Sequence, residues 1–344
     1  MQRRPFLKTT ALAGFSILTS AWRATGRKDL VFGQNERQYT LDRDWAKATP
    51  ASLPVKDCHE MVQTDQGHIL LLTNETRNNL IAFDKTGKVL RAAGHAFPGG
   101  HGLSLAGEGS DQVLFVTDTE LNQVFKTDLQ GRSIQAWTAP MDAGLYTDPK
   151  QFVPTETAVL PNGECYVADG YGLQYVLHYG ADGLLKNSFG GRGEGDAHLD
   201  NAHGICVDNR GGGTPTLLVT DRTRCCFKRF SLQGEYLEKI ELPGACVCRP
   251  VIKGDYLYAA VLRSPHMGTE GTGFVIILNK ANKVVSVVGG AEAAYGSDGK
   301  LLPFYQTVKL FQHPHDVLVD DEENLYVCQW NSGQVYPYKF NLVK

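Results

Sequence analysis

Four histidines recur at one point of a repeating unit, and this recurrence constrains the fold more than any other feature of the chain. They lie in Cys58-His59-Glu60-Met61-Val62, Gly100-His101-Gly102-Leu103-Ser104-Leu105, Ala202-His203-Gly204-Ile205-Cys206-Val207 and Pro314-His315-Asp316-Val317-Leu318-Val319. Each stretch sets a His, then a small or acidic residue, then an apolar alternation. Two others, Pro154-Thr155-Glu156-Thr157-Ala158-Val159 and Cys248-Arg249-Pro250-Val251-Ile252, start alike with a different residue at that point. Six units thus give six equivalent positions: His59, His101, Thr155, His203, Arg249 and His315. A period of about 40 to 65 residues marks a repeat architecture in which each unit buries its apolar faces against its neighbours.

Every unit continues in the same way. A turn such as Asp65-Gln66-Gly67 or Pro161-Asn162-Gly163 leads to an apolar run with a polar end, as in Val113-Leu114-Phe115-Val116-Thr117-Asp118. An alternating strand, another Gly-containing turn and a last short strand follow. The unit that fits is a four-stranded blade, and the chain reads as all-β, a single-domain six-bladed β-propeller. The blades are expected at about residues 57–94, 99–140, 152–191, 201–243, 246–290 and 312–342, within a propeller spanning 57–344. Residues 25–56, with Tyr39-Thr40-Leu41 and Trp45, are expected to join the last blade and close the ring. A seventh blade would need degenerate strands in the long connection 291–311, which with 141–151 and 192–200 forms the longest links, the kind that carry function.

Composition bears on compartment and partners. The hydrophobic content of 42% and charged content of 21% suit a globular protein with a large core. Residues 1–24 read as a twin-arginine-type export signal, with Arg3-Arg4-Pro5-Phe6-Leu7-Lys8 before a modest apolar run. That run is too short for a stable membrane anchor. A periplasmic or extracellular location by the twin-arginine route is expected, with cleavage after Ala21 or Ala24. Removing the leader deletes Arg3, Arg4, Lys8 and Arg23 and no acid, which takes the formal charge from −3 to −7. An acidic body without a basic stripe excludes nucleic acid as the expected partner. A monomer acting on a small molecule is expected. Most of the eight cysteines read as buried strand residues, with a bridge of the Cys226 to Cys248 type between neighbouring blades left open.

The innermost strands of a propeller line its central channel, so equivalent residues converge on one mouth. One His on a strand is ordinarily structural, but several at one repeat position point to a metal site. Imidazoles from three strands can hold a divalent transition metal and leave a position open for water or substrate. A second row is formed by Glu75, Asp118, Asp169-Gly170-Tyr171, Asp221-Arg222 and Gln329-Trp330. The aspartates read mainly as turn and inter-blade hydrogen bonders. Tyr171 and Arg222 offer a phenol near a metal, able to act as a base, and a guanidinium able to clamp an anion.

The blades resemble NHL repeats. The ordered set Pro98-Gly99-Gly100-His101-Gly102-Leu103, Pro154-Thr155-Glu156, Asp169-Gly170-Tyr171, Ala202-His203-Gly204, Asp221-Arg222 and Pro314-His315-Asp316 resembles the lyase domain of peptidylglycine α-amidating enzymes, the peptidylamidoglycolate lyases. The resemblance runs from about Asp57 to the C terminus. It implies a zinc ion on His101, His203 and His315, Tyr171 as base, Arg222 in substrate binding, and a structural calcium held by Asp316 and the Leu103 carbonyl. Three departures stand out. The family's other active-site Arg falls near His59, its disulfide Cys after Asp-Gly-Tyr is Gly172, and no segment resembles the monooxygenase domain that would supply a hydroxyglycine peptide.

The expected function is accordingly a metal-dependent lyase for a small hydroxylated substrate, using Zn2+ or another divalent transition metal. A neutral His59 beside the metal is expected as a catalytic proton shuttle, oriented by Asp57 and Glu60, with a fourth-ligand role and a purely structural role as the rivals. Arg249 is expected to contact the anionic part of the substrate from across the channel. The alternatives are a non-catalytic NHL propeller that binds a protein or glycan and a carbohydrate-acting propeller lyase. A His-rich ring argues against the carboxylate and Asn set of calcium-dependent lactonases.

Overall fold

The computed structural model describes residues 30–264 and 273–344. The leader, with its twin-arginine motif, and residues 265–272 lie outside the described residues. Six antiparallel sheets surround a central axis. Their innermost strands are Cys58–Gln63, Gly100–Ala106, Glu156–Val159, Ala202–Asp208, Cys246–Lys253 and Pro314–Val319. Each is followed outward by the next strands in sequence, so a blade is a simple meander. The connection 291–311 contains isolated bridges only, Tyr295 with Leu301 and Gly290 with Gln306, and adds no seventh blade. Among the described residues, no helix is long and apolar enough to cross a membrane.

The second and third strands of a blade are covered on both faces by neighbouring blades. Ile69–Thr73 and Leu80–Phe83 are therefore buried at every position, and both read as continuous apolar runs. Outer strands such as Ser133–Trp137 and Leu185–Gly190 reach solvent. The core is consequently divided into wedges between adjacent blades. One wedge joins Leu218 and Phe227 of blade four to Leu257 and Ile276 of blade five, and another joins Met61 and Ile81 of blade one to Tyr326 and Cys328 of blade six.

Ring closure uses the chain's N-terminal part. Val31–Gln34 and Arg37–Asp42 form a hairpin whose second strand pairs with Tyr338–Leu342, with Leu41 opposite Phe340, giving blade six five strands. The hairpin also reaches blade five, where the Gln34 amide donates to Ser286 Oγ and the Arg37 guanidinium lies 3.9 Å over the Tyr256 ring. Trp45 then fills the wedge between blades one and six, tilted against Phe83 and edge-on to Tyr326, and its indole N–H donates to the Lys85 carbonyl. Gly87 makes room for this segment: its φ is +86°, and a Cβ there would sit 1.7 Å from the Trp45 carbonyl oxygen.

In five of the six innermost strands the pairing slips near its start, between Cys58 and Glu60, Gly100 and Leu103, Ala202 and Ile205, Val247 and Pro250, and Pro314 and Asp316. A β-bulge leaves residues unpaired and re-aims their side chains. The residues inside these bulges are His59, His101 with Gly102, His203 with Gly204, Cys248 with Arg249, and His315.

Candidate metal centre

The bulges deliver four imidazoles to one mouth of the channel. The ring centroids of His101, His203 and His315 lie 4.8 Å from one another on every side of a triangle. His59 sits on the far side of the edge shared by His101 and His315, with centroids 5.1 and 4.9 Å away. All four are buried. Burial pushes each below the usual imidazole range, His59 to about 3 with the nearby Lys56 adding to the effect, so these rings are neutral and carry lone pairs.

Their tautomers follow from their partners. His101 Nδ1 lies 2.9 Å from the Thr155 carbonyl and His315 Nδ1 3.2 Å from the His59 carbonyl. A carbonyl only accepts, so both Nδ1 atoms carry the proton and each Nε2 presents a lone pair. The Tyr171 hydroxyl lies 3.1 Å from His101 Nε2, and Arg222 Nη2 donates to the same phenol oxygen across 3.2 Å. His203 has both ring nitrogens buried without a partner among the described residues, and His59 Nδ1 is likewise unpartnered. A buried nitrogen lacking a partner is costly, and neutral imidazoles are suited to a divalent transition metal, although His101, His203 and His315 do not themselves form a group with all ligand atoms within 4.8 Å of one another. Ligand atoms within 4.8 Å of one another occur in two overlapping groups, His59 with His101 and His315, and His203 with Cys248 and His315.

Above the imidazoles lies a cavity of about 440 Å³, whose walls include His59, His101, His315, Tyr171, Arg222 and Trp330. Tyr171 and Trp330 are 41% and 38% exposed and form its aromatic rim. Asp118 accepts from the amides of Gly99, Glu120 and Leu121, and Asp169 from those of Val153 and Leu173 and from the Tyr146 hydroxyl. Asp221 pairs with Arg224 and Lys228. These aspartates hold turns rather than ligands. Arg222 pairs with none of them and turns to the cavity.

The structure corrects two expectations at once. Arg249 is not at the imidazole level but one residue further in, and it does not reach the substrate mouth. Its guanidinium donates to the carbonyls of Leu103 (2.8 Å) and Met61 (3.2 Å) and to both oxygens of Asp316 (3.1 and 2.9 Å), with Glu60 3.2 Å away. The calcium expected on Asp316 and Leu103 is thereby displaced by a resident guanidinium, which already uses both groups and would repel a second cation. Burial pushes the carboxyls of Glu60, Glu156 and Asp316 up, against the attraction of Arg249. Glu60 is spent on Arg249 and on the Leu103 amide, and Asp57 on Asn74 and Asn331, so neither orients His59.

The residue at the imidazole level in blade five is Cys248, which the sequence reading missed. The signal was present in the alignment of Val247-Cys248-Arg249-Pro250 with Ala202-His203-Gly204-Ile205, one residue out of the register adopted above. So aligned, the layer beneath the imidazoles runs Glu60, Gly102, Glu156, Gly204, Arg249, Asp316. The bridge left open between Cys226 and Cys248 is absent, and instead Cys225 and Cys246 lie side by side with sulfurs 3.3 Å apart.

Fold and site together define a six-bladed β-propeller with a histidine-lined channel mouth. In sequence the chain resembles an amidating enzyme: in an alignment 281 positions long that covers 75% of this chain, it is 26% identical to peptidyl-glycine alpha-amidating monooxygenase B of Xenopus laevis. The matched region spans only 28% of that relative. No protein-family model matches the chain. Among solved structures, a gluconolactonase from Xanthomonas campestris superposes with a TM-score of 0.59 at 12% identity, covering 92% of this chain and 95% of the other. Virginiamycin B lyase from Staphylococcus aureus does so with a TM-score of 0.55 at 11% identity, covering 89% and 100%. At such identities these likenesses describe the fold alone.

Proposed function

We propose that the protein is a metal-dependent lyase, with zinc or another divalent transition metal held by His101, His203 and His315. The observation that carries this reading is the triangle of neutral imidazoles, two with tautomers fixed by backbone carbonyls and one with both nitrogens unpartnered. A metal bound there supplies Lewis acidity toward a hydroxylated substrate. With His101 Nε2 taken up as a ligand, the Tyr171 oxygen keeps its hydrogen bond from Arg222 and, in deprotonated form, takes the proton from the substrate hydroxyl and passes it to the leaving group. As that C–O becomes a carbonyl, the bond from the same carbon to its second heteroatom breaks, and the leaving group departs with the electron pair. Arg222 holds an anionic part of the substrate.

The substrate is a small hydroxylated molecule, and a hydroxyglycine peptide heads the candidates because of the amidating-enzyme similarity. The Arg3-Arg4 leader supports export to the periplasm by the twin-arginine route. Metal analysis of the purified protein tests the first step. About one equivalent of transition metal, lost in His203→Ala, is expected, and less than about half an equivalent, unaffected by that change, rejects the reading. Turnover of hydroxyglycine peptides, assayed in parallel with uronides and keto-sugars, tests the second, with Tyr171→Phe expected to lower it by about 10²- to 10⁴-fold.

A further inference from the structure

We propose that Cys225 and Cys246 form a dithiol that closes to a reversible disulfide between blades four and five, at the rim of the histidine cavity. Their sulfurs are 3.3 Å apart, and no other two cysteine sulfurs among the described residues are within hydrogen-bonding reach. The pairing depends on backbone geometry at each partner. Cys225 ends the tight turn that follows Asp221: its amide donates to the Arg222 carbonyl at 3.1 Å, and its own carbonyl accepts from Leu242 at 2.9 Å. Its φ of +51° turns the side chain away from the strand that begins at Cys226. Cys246 opens the innermost strand of blade five, opposite Arg263, before the bulge that carries Cys248 and Arg249.

The two thiols face different spaces. Cys246 lines the histidine cavity together with Arg222 and Arg263. Cys225 lines a separate outer cleft with Arg224, Lys228 and Lys239. A small disulfide reagent therefore has a route to the pair from either side. One thiol attacks oxidised glutathione and expels one glutathione, leaving a mixed disulfide, and the other thiol displaces the second glutathione. The two thiol protons leave on the two molecules of reduced glutathione, so the protein is oxidised by two electrons and the reagent reduced by two.

The bond ties the turn bearing Arg222 to the strand bearing Cys248, and with it fixes the spacing of Arg222 and Arg263 across the mouth. Closing a loop of this length constrains the unfolded chain, so the oxidised form is the more heat-resistant one. The inference does not depend on the metal-site reading, since its primary readout is thiol chemistry.

The test is to equilibrate the full-length protein with oxidised glutathione, alkylate it after denaturation, and count free thiols. Expected are six free thiols in place of eight, a peptide linkage between Cys225 and Cys246 by fragmentation mass spectrometry, and full recovery on adding dithiothreitol. The thermal midpoint should rise by roughly 3 °C on oxidation. Neither change should occur in Cys225→Ser or Cys246→Ala, two separate variants that guard against one failing to fold. Eight remaining thiols, or a linkage through Cys226 or Cys248, would overturn the proposal.

Discussion

A neutral imidazole buried with empty nitrogens is tolerable only where something else takes its lone pairs, and at His203 nothing among the described residues does. His59 raises a separate question. It sits where a charged anion contact is expected from the family resemblance, but burial holds it neutral and not a cation, and the proton-carrier role proposed for it has a direct test. His59→Ala should therefore keep its metal and lose at least tenfold in turnover. Metal loss equal to that of His101→Ala would instead make His59 a ligand. Arg249 poses the opposite problem, a charge so well caged that its removal is felt everywhere. Arg249→Met should cost about 3 to 5 kcal/mol, because the carboxylates of Glu60 and Asp316 lose their counter-charge. The carbonyls of Met61 and Leu103 and those carboxylates then converge as hard oxygen donors, so millimolar Ca2+ should raise the variant's thermal midpoint and leave the parent's unchanged.

At the level of elements, the strand that ends at Asp208 shows how blades are tied edge to edge. Asp208 accepts from Arg210 and Arg229, and Arg210 goes on to the Asn279 carbonyl and the Asn282 side chain of blade five. Burial pushes the Asp208 carboxyl up, but these hydrogen bonds win and hold it at about 2. Since the unfolded value is about 3.9, the folded state binds the proton less tightly. The stabilisation is present above pH 4 and disappears as the pH falls toward 2. Asp208→Asn should lose roughly 2 to 3 kcal/mol at pH 7 and show a flatter acid limb in urea titrations between pH 4 and 2.

The same elements show what was legible beforehand. Blade number, order and turns were readable because Gly-punctuated β-branched runs are set by local sterics and burial. The bulges were not, since a slipped register depends on the partner strand, and Arg249 was misplaced for that reason. The Cys225 and Cys246 contact was hidden similarly, because it needs the left-handed backbone at Cys225.

On the scale of the whole molecule, the N-terminal hairpin is what removes the free edge of the ring. A chain beginning at residue 43 would expose the backbone of Tyr338–Leu342 and uncover the wedge around Phe311 and Phe340. Such a truncation should lower the thermal midpoint and elute as higher oligomers in size-exclusion chromatography; a monomer with the parent's midpoint would show that closure lies elsewhere. The Arg249 guanidinium has its own consequence at this scale. Rooted in blade five, it reaches backbone or carboxylate groups of blades one, two and six, and so it spans the axis as a floor. The tunnel through the ring is thus a blind well, and whatever enters past Tyr171 and Trp330 must leave past them. Under the proposed lyase activity, two fragments made at the bottom of such a well would depart in a fixed sequence, the outer before the inner, and the inner fragment would compete directly with fresh substrate for the empty site.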